Sequence, residues 1–200
     1  MTPDLARRIK LFRLVRDIPY RIGLALEEPD YCCSTKTPLL QRLMATLGLE
    51  SRRICCRFRW EDTALPRDLV ALAPDPESGH EYLEVLLPEK KAWVAVDPSW
   101  DIAIASTGLP VAAWDGSNST VLAVTPVKTF SPKKSAEMVK RIDDAPPAAW
   151  QDFFDRNRVF FTALNGWLEH HRARDSGFRI QDSGNFVWQP AGGVPHAQKN

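Results

Sequence analysis

A thiol at Cys33, an imidazole at His80 and a carboxylate at Asp97 are the three groups a cysteine acyl-transfer centre needs. The imidazole takes the thiol proton, and the carboxylate fixes the imidazole's tautomer and steadies its charge. The three stand in short segments, Cys33-Ser34-Thr35-Lys36-Thr37-Pro38-Leu39-Leu40, His80-Glu81-Tyr82-Leu83-Glu84-Val85 and Val96-Asp97-Pro98-Ser99-Trp100. Taken singly, each has a plain structural reading: a small buried hydrophobe, a satisfied imidazole, a turn carboxylate. Their joint occurrence at compatible spacing is what points to chemistry.

The elements that must position them can be read from periodicity. Leu39, Leu40, Leu43, Met44 and Leu47 form a helical apolar stripe that Gly48 stops. Cys33 falls at or just before the start of that helix, where backbone N–H groups favour a thiolate, and a nearby His80 adds to this. Pro38 lacks an N–H and restricts Thr37, so the first turn is predicted to be distorted, or regular helix to begin only after Thr35. Residues 80–87 and 92–97 read as strands joined by Pro88-Glu89-Lys90-Lys91. A two-residue loop at Glu89-Lys90 sets Pro88 opposite Lys91, and a four-residue loop at 88–91 gives the same register. His80 then faces Ser99, with Asp97 its diagonal neighbour on one face; a slip of two residues puts Asp97 directly opposite. Both arrangements are within side-chain reach, whereas an odd-sized loop separates the pair.

Further elements frame these. Leu5, Ile9, Phe12 and Val15 predict a helix over 4–16, and Pro19 an extended connection over 18–22. Residues 53–60 alternate, with Ile54, Cys56, Phe58 and Trp60 on a buried face and Arg53, Cys55, Arg57 and Arg59 on a solvated one. Residues 61–79 read as loop, Trp114-Asp115-Gly116-Ser117-Asn118 as a turn, and Thr120-Val121-Leu122-Ala123-Val124 as a central strand. Trp150, Phe153, Phe154, Phe160, Phe161, Leu164, Trp167 and Leu168 keep helical spacing over about 147–172, after Pro146-Pro147. His170-His171 reads as a cationic end to that helix, and 183–200 as a loose tail.

Composition narrows the class. Twenty-six basic and 25 acidic residues leave a formal net charge of +1, no field for nucleic acid or an anionic membrane. No apolar run reaches the ~18 residues of a membrane span or has the form of a signal peptide, so the expectation is a cytoplasmic protein with reduced cysteines. Cys32-Cys33 and Cys55-Cys56 lack C-x-x-C spacing, so neither a metal nor another cofactor is expected. Two hundred residues suffice for one core, and a single domain over 1–182 is expected.

With these segments in view, the chain resembles the transglutaminase-like, papain-related cysteine enzymes. Cys33, Lys36, Leu39, Leu40, Leu43 and Gly48 match the signature of their nucleophile helix. His80, Tyr82, Glu84 and Val85 match their H-x-W/Y-x-E-V strand, and Trp93, Val96, Asp97 and Pro98 their W-x-x-V-D-P segment. The likeness covers about residues 17–125. A smaller prokaryotic subgroup is similar in Arg16–Tyr20, Phe58-Arg59-Trp60, Trp100-Asp101 and Trp114–Gly116.

The resemblance implies an α+β fold with a papain-like, transglutaminase-like core. A nucleophile helix packs on an antiparallel sheet, and a long C-terminal helix follows. It implies Cys33 as nucleophile, His80 as general base then acid, and Asp97 as orienter. Periodicity alone does not separate Cys33 from Cys32; register with Lys36 and Leu39-Leu40 selects Cys33. An oxyanion donor is also implied, from the Cys33 backbone N–H and, as a candidate side chain, Tyr20. Trp100, Trp114 and Trp60 flank these motifs, and at least one of them, Trp100 first, is expected to line the groove for a peptide or protein amide substrate. The expected activity is amide hydrolysis or transamidation; the alternative is an inactive binding module on the same fold. The oligomeric state is left open.

Overall fold

The computed structural model describes residues 3–175, so the tail expected over 183–200 lies outside the described residues. In chain order the elements are α1 (Pro3–Arg16), α2 (Cys33–Thr46), β1 (Ser51–Arg59), α3 (Arg67–Val70), β2 (Glu77–Leu87), β3 (Ala92–Val96), β4 (Lys128–Thr129), α4 (Pro132–Asp143) and α5 (Pro147–Asp175). The four strands form one antiparallel sheet in the order β3-β2-β1-β4.

Strand alternation sends the two faces of this sheet to different helices. Leu83, Val85 and Leu87 of β2 face Phe12 and Val15 of α1 and Leu40 and Met44 of α2. Leu40 and Met44 are fully buried, and each such side chain contributes about 1.5–3 kcal/mol. Ile54, Cys56 and Phe58 of β1 and Tyr82 of β2 instead join Phe160, Phe161, Leu164 and Leu168 of α5. The β2–β3 register sets Leu83 opposite Val96 and Val85 opposite Val94. Extended along both chains, it makes Asp97 the diagonal neighbour of His80, the first of the two arrangements that the loop arithmetic allows.

Three expectations are corrected. Residues 120–124 form no strand: Thr120 reaches β3 only by donating its N–H to Ala95 O (2.8 Å) while its Oγ1 accepts from Asp97 N (3.0 Å). The outer partner of β1 is the short β4 instead. The arginine face of β1 is only partly solvated, because α4 lies over it. Cys55 is buried there, its N–H donating to Ser135 Oγ at 3.0 Å, and Arg53 is drawn into a buried ion pair. Residues 61–79 also hold α3 and the start of β2.

α5 is tied to the segment before α2. Ile22 N–H donates to Asn165 Oδ1 (3.1 Å), and Asn165 Nδ2 returns a bond to Ile22 O (2.7 Å). Arg172 donates to Tyr20 O (2.7 Å) and to Asp101 Oδ2 (2.7 Å), which also accepts Tyr20 N–H (2.8 Å). The helix runs past His170-His171 to Asp175, so those histidines lie within its last turns. Gly116 closes the Trp114–Asn118 turn at φ +81°, and a Cβ there would meet Leu5 Cδ1 at 2.6 Å.

Candidate active site

α2 begins at Cys33, with Cys32 in extended geometry as its N-cap. Lys36 N and Thr35 N both donate to Cys32 O, at 2.9 and 3.2 Å. The delayed helix start expected from Pro38 does not occur; Pro38 sits inside a helix already under way. Tertiary bonds hold that first stretch. Thr37 Oγ1 donates to Glu81 O (3.2 Å), and the buried Lys36 ammonium donates to Arg16 O (2.9 Å) and Ser99 O (2.7 Å).

Lys36 therefore joins α2 to the loop that follows Asp97. Burial lowers its pKa to about 8, against opposing pulls from Asp101, Asp97 and Asp17. Below pH 8 the folded state bears the full cost of the buried charge; above the ordinary lysine value it bears none. The unfolding free energy of wild type relative to Lys36→Met should thus rise by about 3 kcal/mol from pH 8 to 10.5. Urea unfolding of both proteins across that range measures it.

His80 lies on β2 opposite Cys56 of β1 and is buried. Its Nε2 stands 2.8 Å from Asp97 Oδ2. A carboxylate only accepts, so Nε2 carries the proton and Nδ1 is the basic nitrogen. Asp97, 1% exposed, accepts four bonds. Oδ2 also takes Ala123 N–H (2.7 Å), and Oδ1 takes Ser99 N–H (3.0 Å) and Ser99 Oγ–H (2.6 Å). Burial alone would raise its pKa; the charge and hydrogen bond of His80, with Ser99 and Ala123, more than reverse this and hold it below the ordinary value.

Cys33, half-buried, lines a cavity of about 450 Å³ together with His80, Tyr20, Trp60 and Trp100. Tyr20 packs on Trp100 with ring centroids 4.4 Å apart, and Trp100 Nε1 donates to Ala123 O at 2.8 Å. Burial, then Cys32 and Cys33, raises the Tyr20 phenol well above its ordinary pKa, so the hydroxyl keeps its proton. Trp60 meets Phe58 and Phe160 edge-on at 4.7 and 4.8 Å. Trp114 is not on this wall. It packs edge-on against Phe12 at 5.9 Å in the core beneath α1, with Nε1 donating to Asn118 O.

The thiol runs against the expectation of a stabilised thiolate. A hydrogen bond with Cys32, then burial, then the charges of Cys32 and Glu81 push the Cys33 pKa well above its ordinary value; the Glu81 backbone N–H opposes them. Cys32 Sγ itself stands 3.0 Å from Ser34 Oγ and 3.4 Å from Asp30 Oδ2. Burial also raises Cys55 to about 11 and Cys56 to about 12, and all four cysteines are free thiols. These causes favour the protonated thiol at Cys33 over the thiolate.

Sequence reasoning missed Glu81, which is 4% exposed. Its carboxylate is held by Arg53 at 2.8 Å, and Arg53 also reaches Asp143 at 3.0 Å. The signal was legible: opposite charges sit diagonally across β1 and β2, since Cys55 faces Glu81. Glu81→Gln should lower the Cys33 pKa and speed its alkylation by iodoacetamide several-fold at pH 8. A pH–rate profile followed at the Cys33 peptide decides this; a profile unchanged from wild type would remove Glu81 from the account.

Among the described residues no cluster of three or more His, Cys, Asp or Glu could hold a metal ion, and no helix is long and apolar enough to cross a membrane. Comparison of the chain with family models, curated proteins and solved structures finds no match.

Proposed function

We propose that this protein transfers acyl groups from amides through Cys33, on a papain-like core of the transglutaminase-like kind. One observation carries the reading: a buried His80–Asp97 pair at 2.8 Å opens onto the same cavity as a thiol at a helix start. His80 Nδ1 takes the Cys33 proton as sulfur attacks the amide carbonyl. An S–C bond forms, and the oxyanion is met by the Cys33 backbone N–H, with the Tyr20 hydroxyl as second donor. Asp97 steadies the imidazolium. His80 then passes the proton to the leaving nitrogen, the C–N bond breaks, and an acyl-enzyme remains. Water, deprotonated by His80, attacks next; the carboxylic acid leaves and the thiol regains its proton. An amine in place of water gives transamidation.

The raised thiol pKa favours proton transfer concerted with attack over a preformed ion pair. The same observation favours the second reading, a binding module whose thiol stays inert. A peptide and amide library incubated with wild type and Cys33→Ala separates the two. Cleavage or amine exchange that disappears with Cys33 supports the enzyme; identical inertness of both proteins supports the module.

A further inference from the structure

The cavity has a wall that the proposed chemistry does not use. Trp150, Phe153 and Phe154 from the first turns of α5, with Met138 and Ile142 of α4, line the same space as Cys33 and His80. The rings touch one another: Trp150 lies 5.9 Å from Phe153 and stacks on Phe154 at 6.0 Å. Yet Trp150 and Phe153 are only half-buried. Apolar surface left open in a concavity is recovered when an apolar ligand covers it.

Charge and size narrow the occupant. Glu81, which also lines the cavity, is neutralised by Arg53. The His80 imidazole is committed to Asp97. Asp30 and Arg141 also line the cavity, but the ring wall of Trp150, Phe153 and Phe154 itself carries no charged group and offers no partner to a charged side chain. A volume of about 450 Å³ falls in the range of sites that enclose a small organic ligand. A formyl or acetyl group would leave most of it empty.

We infer that this wall is an acyl-group pocket and that the substrate is a small amide bearing a bulky apolar acyl chain, aryl-alkanoyl or medium-length alkanoyl. The inference rests on the acyl-transfer reading for its chemistry, while the pocket itself can be tested without turnover. Trp150, Phe153 and Phe154 hold the chain body, and the carbonyl stands at Cys33.

The test uses the full chain carrying Cys33→Ala, titrated calorimetrically with propanamide and 4-phenylbutanamide. The larger amide should bind at least tenfold more tightly. Adding Ala149→Trp, at an exposed position lining the cavity, should abolish that preference. Phe153→Ala is the second variant and should weaken 4-phenylbutanamide at least fivefold, with thermal melting to establish that each variant is folded. Equal affinity for the two amides in the Cys33→Ala protein, or a preference untouched by both wall variants, overturns the pocket. Wild type is assayed in parallel on the p-nitroanilides of acetic and 4-phenylbutyric acids. Selective binding without p-nitroaniline release keeps the pocket and removes the acyl-transfer reading. Release without acyl preference does the reverse.

Discussion

Asp97→Asn is expected to slow acyl transfer on the order of 10⁴-fold, the scale on which a mis-set imidazole tautomer acts in a triad. The carboxylate accepts from His80, Ala123 and both donors of Ser99. An amide keeps one acceptor oxygen, so its NH₂ must face one pair of these donors, either His80 and Ala123 or the two of Ser99. In place of Oδ2 the NH₂ flips the ring to the wrong tautomer, so that Nδ1 carries the proton and cannot take one from Cys33, and it strands the Ala123 N–H. In place of Oδ1 it strands the Ser99 N–H; either way a buried N–H loses its partner, at a cost of about 1–3 kcal/mol. The variant should therefore lose both rate and stability. His80→Ala separates the two effects, because it removes the base yet leaves Asp97 its bonds to Ser99 and Ala123. Kinetics on the best library substrate and urea unfolding of both variants measure this. An Asp97→Asn protein within tenfold of wild-type rate would remove Asp97 from the mechanism. The low Asp97 pKa sets the acid limit as well: its contribution is present above the ordinary carboxylate range and lost as pH falls through the folded value.

The pairing of His80 with Asp97 was legible because strand alternation is strict and the loop between the strands is short. Leu83 opposite Val96 leaves no freedom in where Asp97 falls. The start of α2 was legible from Leu40 and Met44, but its integrity past Pro38 was not. The bonds that hold it come from Arg16, Ser99 and Glu81, all distant in sequence. Residues 120–124 misled because they are apolar enough for a central strand. Ala123 and Val124 are buried in the core around α5, and Ala123 N–H serves Asp97 rather than a ladder. Trp114 misled by lying beside a motif: the Trp114–Asn118 turn abuts α1, so its indole fills the core on the opposite face of the sheet. The cover of Cys55 by α4 was missed although Ser131-Pro132 is an N-cap followed by a first-turn proline, with Ser131 Oγ accepting Lys134 N–H.

Arg53→Ala should cost about 3–5 kcal/mol of stability, the scale for stranding one half of a buried ion pair. Arg53 and Glu81 have side chains 9% and 5% exposed, and the guanidinium meets the carboxylate through both Nε and Nη2. Asp143, the other partner of Arg53, is 54% exposed, so Asp143→Ala should cost about 1 kcal/mol or less. The pH dependence identifies the cause. Burial already raises the Glu81 pKa, with Arg53 pulling it back. Without Arg53 the folded-state pKa climbs further above the unfolded value, so the variant gains stability as pH falls and the carboxyl takes a proton. The deficit against wild type should be larger at pH 8 than at pH 5. A deficit that is constant across that range, or below about 1 kcal/mol, would mean the pair behaves as a surface contact. The consequence reaches the candidate site, because Glu81 O accepts Thr37 of α2 and Glu81 N–H faces the Cys33 sulfur. Loosening Glu81 disturbs the seat of α2 on β2. The stability measurement and the alkylation profile of Cys33 should therefore change together in Arg53→Ala and stay near wild type in Asp143→Ala.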